Sequence, residues 1–127
     1  MFEPKHGFSG FSVDDVDAAA DFYGTTLGLG VARNAMDALD VSLPGGARVF
    51  VYPKPDHQPA TFTVLNLVVD DIDAAVDELN ARGVTTKIYD GDFTDAKGIA
   101  RGRAAGRGPD IAWFRDPAGN VLSVLAD

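Results

Sequence analysis

The sequence predicts an α+β fold built as two tandem βαβββ modules within a single domain. Three observations carry this reading. The phrase Val13-Asp14-Asp15-Val16-Asp17-Ala18-Ala19 returns as Val69-Asp70-Asp71-Ile72-Asp73-Ala74-Ala75, an offset of 69 − 13 = 56 residues. Internal repetition of this kind marks a duplicated unit. Each half then closes on a Pro-x-Gly turn: Pro44-Gly45-Gly46 precedes Arg48 to Tyr52, and Pro117-Ala118-Gly119 precedes Val121 to Leu125. The length of 127 residues suits one domain, with module one at about 1–56 and module two at about 57–127.

Each element follows from local pattern. Phe8–Val13 alternates and stops at an acidic pair, which reads as a strand ending at a helix cap. Asp14 or Asp15 supplies that cap, and Asp17 lies in the first turn, where the helix dipole favours negative charge. Val16, Ala20, Tyr23 and Leu27 form one helical stripe, ended by Gly28 and Gly30. The second half repeats this. Val64–Val69 is a strand, Asp70 or Asp71 a cap, Ile72, Ala75, Val76 and Leu79 a stripe, and Gly83 the stop. Further strands are expected at Leu29–Arg33, Leu39–Leu43 and Arg48–Tyr52, then at Val84–Tyr89, Ile111–Arg115 and Val121–Leu125. The two Pro-x-Gly turns are hairpin connections. Pro53 to Pro59, with three prolines, reads as a stiff exposed linker carrying His57. Asp90 to Pro109 is a long glycine-rich segment, either a lid or a surface loop.

Bulk properties exclude several classes. The net charge is −8, with 46 % hydrophobic and 24 % charged residues, a globular composition whose acidity disfavours nucleic acid. The basic group Arg101, Arg103 and Arg107 has no interleaved aromatic residues; it reads either as a site for an anionic ligand or as a solvated loop balancing Asp90, Asp92 and Asp95. There is no cysteine, which removes disulfides, thiolate metal sites and thiol nucleophiles. This suits a reducing cytoplasm without demanding it, and a cytoplasmic location is the expectation. No stretch approaches the roughly 20 apolar residues of a membrane span, so no membrane partner is expected. Neither a G-x-S-x-G elbow nor a phosphate-binding glycine loop is present. The paired carboxylates at 14–15 and 70–71 are explained by capping.

The doubled V-D-D-[VI]-D-A-A phrase, Phe22-Tyr23 and Leu27-Gly28 at the end of the first helix, and Asp116-Pro117-x-Gly119-Asn120 resemble the glyoxalase / bleomycin-resistance / extradiol-dioxygenase superfamily, the vicinal oxygen chelate proteins. The resemblance covers nearly the whole chain. It implies two βαβββ modules whose sheets form a cupped, half-open mixed β-barrel with helices outside, a ligand in the concavity, and a homodimer. Its enzymes hold a divalent metal at two equivalent strand positions per module. Carried over residue by residue, those positions are Phe8, Phe50, Val64 and Ser123. None is His, Asp or Glu, so the resemblance combined with these residues predicts no metal and no cofactor.

Alternation along the strands puts Phe8, Phe50, Tyr52, Phe62, Asn66 and Ser123 on the concave side, with Trp113 beside them. Phe11, Val13, Val49, Val51, Leu65, Leu67, Leu122 and Val124 face the helices. A mostly apolar, aromatic concavity with a few polar groups is the chemistry of a small-molecule site. The expected function is therefore a metal-free protein that sequesters an aromatic or hydrophobic compound such as an antibiotic. Phe8, Phe50, Tyr52, Phe62 and Trp113 would be its walls, and Asn66 and Ser123 its polar contacts. No catalytic residue is assigned. The competing expectations are a diverged glyoxalase- or dioxygenase-like lyase, isomerase or oxygenase, with any metal held by residues such as Asp90, Asp92 or His57, and a ligand-free dimer with a filled core.

Overall fold

The computed structural model describes residues 1–127 and has the α+β fold of two βαβββ halves. Its strands form two separate four-stranded mixed sheets, neither closed into a barrel. Contacts divide the chain into two compact units, Met1–Pro59 and Ala60–Asp127.

In the first unit the elements are β1 (Ser9–Val13), α1 (Val16–Ala20) continuing as a π-helical turn (Asp21–Thr26), β2 (Gly30–Arg33), β3 (Leu39–Ser42) and β4 (Arg48–Pro53). The sheet order is β1-β4-β3-β2, with β1 and β4 parallel and the other pairs antiparallel. Asp15 is the cap: its carboxylate accepts from the backbone N–H groups of Asp17 and Ala18. The side chain satisfies donors that the first helical turn leaves without intrahelical partners.

The stripe of the first helix differs from the expected one. Val16, Ala19, Phe22 and Tyr23 are buried, while Ala20 and Leu27 are only half-buried. The wider π turn is the reason. Leu27 N–H donates to Phe22 C=O at 2.8 Å, one residue beyond α spacing. That extra residue brings both aromatic rings inward. Tyr23 then packs on Phe11 with ring centroids 6.0 Å apart, and Phe22 meets Tyr23 edge-on at 5.3 Å. Phe11, Val13, Leu39, Val41, Val49 and Val51 supply the sheet side of this core.

The second unit repeats the plan with β5 (Thr63–Val68), α2 (Ile72–Ala81), β6 (Ile99–Arg101), β7 (Asp110–Arg115) and β8 (Val121–Ala126), in the order β5-β8-β7-β6. Asp71 caps α2 by accepting from Ala74 N–H. Leu65, Ala112, Phe114, Leu122 and Val124 are buried on the sheet, and Ile72 and Val76 on the helix.

Two expectations fail here. Val84–Tyr89 is not a strand, and the edge strand is Ile99–Arg101, inside the segment read as a loop. Val84 and Thr86 are buried while Thr85 and Lys87 are exposed, so the alternation is real. The polar groups of this stretch, however, find partners other than a ladder. Asn80 donates to Val84 C=O at 2.8 Å and to Thr86 Oγ1 at 3.0 Å, and Thr86 Oγ1 donates to Lys97 C=O at 2.7 Å. Gly98 passes so close that a Cβ there would lie 2.0 Å from Thr86 O. The chain thus folds back over 86–98 before it pairs with β7.

The segment is also tied to α2 by charge. Lys97 pairs with Asp73 at 3.1 Å and Asp77 at 2.7 Å, and Arg101 with Asp73 at 2.8 Å and Asp95 at 3.1 Å. The hydrogen bonds from Arg101 and then Lys97 hold the Asp73 carboxyl well below the ordinary carboxylate range. The closing turn is built on buried Asp116 and Asn120. Asn120 Nδ2 donates to Asp116 Oδ2 at 3.1 Å, while Asn120 Oδ1 accepts from Ala60 N–H at 3.0 Å, tying the turn to the chain ahead of β5.

Candidate functional site

The face of the first sheet away from the helix carries the row Gly10–Phe50–Asp40–Ala32, aligned across all four strands by the register. Paired residues in a sheet point the same way, so the side chains of Phe50, Asp40 and Ala32 share one face with the bare backbone of Gly10. Ser12 pairs with Tyr52 in the next row, and Arg48 with Ser42 and Gly30 in the preceding one. Most of these residues are small. A Cβ at Gly10 would already lie 3.1 Å from Phe50 O and 3.6 Å from Phe50 Cβ, so the glycine is what allows the close approach.

Small neighbours leave the rings standing proud. Phe50 and Tyr52 stack at 5.6 Å, Phe8 meets Phe50 edge-on at 6.2 Å, and His6 lies over Phe8 at 6.5 Å. Phe8 is 65 % exposed. An open cavity of about 870 Å³ sits at this edge of the unit, lined by His6, Phe8, Met36, Asp40, Arg48 and Phe50 among others. Asn34 fixes the β2–β3 turn that carries Met36, accepting from the backbone N–H of Met36 at 2.9 Å and Ala38 at 3.2 Å.

The face of the second sheet carries its own row, Asn66–Ser123–Trp113. Ser123 is fully buried, and its hydroxyl donates to Asn66 Oδ1. Trp113 is half-buried against Tyr89 at 5.5 Å and Phe93 at 6.2 Å. Phe62, 69 % exposed just ahead of β5, has no aromatic partner. The structure therefore brings six of the seven expected site residues into two groups, Phe8/Phe50/Tyr52 and Asn66/Ser123/Trp113, and leaves Phe62 apart.

Several residues escape the sequence reading. His57 is half-buried, with its Nδ1 2.7 Å from Ser12 Oγ on the aromatic face, and not on a free linker. The backbone explains this. Lys54 N–H donates to Val13 C=O and His57 N–H to Lys54 C=O, both at 3.0 Å, folding residues 54–57 against β1. No periodic signal reports such a turn. Tyr89 and Phe93 are missed because they flank the irregular segment. Asp40 was legible, since it alternates with the apolar Leu39 and Val41 and so shares the face of Phe50.

The positions where the resemblance places metal ligands now have known surroundings. Phe8 flanks β1, Phe50 stands on β4, Val64 lies at an irregularity in the β5 register, and Ser123 is engaged with Asn66. One hydroxyl and three hydrocarbon side chains do not fit a divalent cation. No group of three or more His, Asp or Glu side chains is placed to hold one elsewhere.

These sheets and this duplication define the class. The chain matches the family model of the Glyoxalase/Bleomycin resistance protein/Dioxygenase superfamily over residues 8–124, and it belongs to that superfamily. No curated protein sequence matches it. Among solved structures, it is similar to TnmS3, an antibiotic binding protein from Streptomyces sp. CB03234, with 26 % identity, TM-score 0.66 and 98 % of each chain covered. It is also similar to a glyoxalase/bleomycin resistance protein from the same organism, at 27 % identity and TM-score 0.61, covering 94 % of this chain and 99 % of that one. The fosfomycin resistance protein FosX from Listeria monocytogenes shares the fold at 12 % identity and TM-score 0.69, with 99 % and 95 % covered. No helix is long and apolar enough to cross a membrane.

Proposed function

We propose that this protein is a metal-free small-molecule binder that sequesters an aromatic or hydrophobic compound, as an antibiotic-resistance protein does. The observation that carries the reading is Phe50. It occupies a position where the resemblance places a metal ligand, and its ring stands between Phe8 and Tyr52 on a face of small side chains. Aromatic rings left half-open beside a cavity favour flat, conjugated ligands. Tyr52 belongs to the same proposed set of contacts; Asn66, Trp113 and exposed Phe62 form a second proposed set on the other unit, where buried Ser123 holds Asn66. The likeness to an antibiotic binding protein at 26 % identity supports the same class of ligand. A homodimer, implied by the resemblance, completes the proposal and is read by light scattering.

Titration with a panel of flat polycyclic antibiotics, followed by calorimetry, tests the reading. At least one compound is expected to bind, and Phe50→Ala is expected to weaken it by more than about tenfold, ~1.4 kcal/mol. Absence of binding by every compound, with wild-type and Phe50→Ala protein indistinguishable, overturns it.

One observation favours a second reading, a diverged lyase, isomerase or oxygenase. The Ser12–His57 contact holds an imidazole beside the row that carries Tyr52, and an imidazole is the commonest general acid–base group. The two readings part on the fate of the ligand. A binder returns it chemically unchanged, whereas an enzyme converts it and loses that conversion in His57→Ala.

A further inference from the structure

The first-unit cavity contains one half-buried charged group that the fold itself does not use. Asp40 sits directly opposite Phe50 in the register, half-buried, and its carboxylate makes no hydrogen bond or ion pair with the protein. Four acidic side chains of this unit are engaged, Asp17 with Arg33 at 2.6 Å, Asp37 with Arg33 at 3.5 Å, Asp56 with Lys54 at 2.6 Å, and Asp15 with its helix, while Glu3, Asp14 and Asp21 are exposed to water; Asp40 is the one that is half-buried without a partner. Partial burial of a carboxylate removes some of its hydration, and nothing in the chain replaces it. Arg48 also lines the cavity, but it is exposed and does not pair with Asp40. Being more exposed than Asp40, it keeps more of its hydration and gains less from a ligand.

The surroundings of Asp40 select one kind of partner. The π faces of Phe8 and Phe50 attract cations as well as flat rings. A charge-assisted hydrogen bond to a carboxylate is about twice as strong as a neutral one. The net charge of −8 raises the local concentration of cations over anions. We propose that the cavity beside Phe8 and Phe50 takes a flat aromatic ligand bearing a protonated nitrogen, with Asp40 as the counter-ion that decides ligand choice. This rests on the binding function proposed above and names its ligand class. The ring stacks on Phe50, the nitrogen donates to the Asp40 carboxylate, and Met36 covers the open edge.

Three dyes of one shape test this by calorimetry at neutral pH: cationic 9-aminoacridine, neutral acridine and anionic acridine-9-carboxylate. Wild-type protein is expected to bind 9-aminoacridine about tenfold tighter than acridine, with the carboxylate weakest. Asp40→Asn is expected to erase that preference while leaving acridine affinity within about twofold. Asp40→Ser is expected to do the same, and the wild-type ratio itself needs no variant. Asp21→Asn removes one exposed charge on the helix side and is expected to change neither affinity, which separates a local contact from net charge. A cation preference that survives both Asp40 variants, or tightest binding by acridine-9-carboxylate, overturns this inference alone, because Phe50→Ala still weakens the dyes. Failure of all three dyes to bind wild-type protein overturns it together with the binding function.

Discussion

At the step where module one pairs Gly10 with Phe50 across its parallel strands, module two pairs Asn66 with Ser123. The backbone is the same in both places: a first strand bonded in parallel to a fourth. The side chains take opposite courses. In module one a glycine and an aromatic ring leave a recess with an open ring wall. In module two an amide and a hydroxyl bond to one another and close the step. The routes to the edge strands differ as well. Module one passes from helix to β2 through residues 27–29, whereas module two spends residues 82–98 before β6. Duplication thus supplies two equal frames whose side chains diverge. One frame keeps an open aromatic recess, and the other gains a fold-back anchored to its helix.

The sharpest way to break this comparison is at the glycines that govern the two routes. Gly98, at φ +86°, has Thr86 O where a Cβ would go, at 2.0 Å. Gly98→Ala is expected to destabilise by about 4 kcal/mol, a drop in melting temperature on the order of 10–15 °C. Gly28, at φ +72°, opens onto free space. Gly28→Ala carries only the left-handed backbone cost, about 1 kcal/mol. Thermal unfolding by circular dichroism reads both. Equal effects would show that the fold-back is not what holds module two together.

The two hairpin turns give the next contrast. Asn120 is 1 % exposed and links Asp116 to Ala60, so Asn120→Ala strands buried groups and is expected to cost about 2–3 kcal/mol in urea unfolding. Pro44 sits in an exposed turn closed by the backbone pair Leu43–Ala47. Pro44→Ala is expected to stay within about 1 kcal/mol of wild type.

The smallest effect is acid sensitivity. The Asp73 carboxyl is lowered by Arg101 and Lys97, so its contribution is present above the ordinary carboxylate range and is lost as pH falls through its folded value. Asp73→Asn is expected to be less stable than wild type at neutral pH, with the difference narrowing below about pH 4. Because these side chains are half-exposed, added salt is expected to shrink the difference too. Urea midpoints from pH 7 to pH 2 give both slopes; parallel curves would show that the ion pairs do not anchor 86–101.

Much of this was legible because it is local and periodic. Alternation in β1, β4 and β8 separated Phe50 and Ser123 from Val49 and Val124 correctly, since a pleated strand leaves its side chains no third direction. The same rule misled at Val84–Tyr89. Alternating burial there is real, but a strand also needs a ladder, and Asn80, Thr86 and Lys97 take up its polar groups first. Periodicity likewise placed Leu27 in the helix stripe, and a single π turn moved Phe22 in its place.

By itself the sequence determined the doubling, the faces of the strands it located, the acidic balance, and the residue types, Phe, Phe, Val and Ser, at the four positions where the resemblance places metal ligands. Each of these depends on residue type and on spacing within a few neighbours. Tertiary structure alone decided that His57 meets Ser12 from 45 residues away, that Ile99 and not Val84 forms the edge strand, and that Asp40 faces a cavity with no partner of its own. Those outcomes depend on which distant groups reach a donor or acceptor first, a competition through space that no local pattern records.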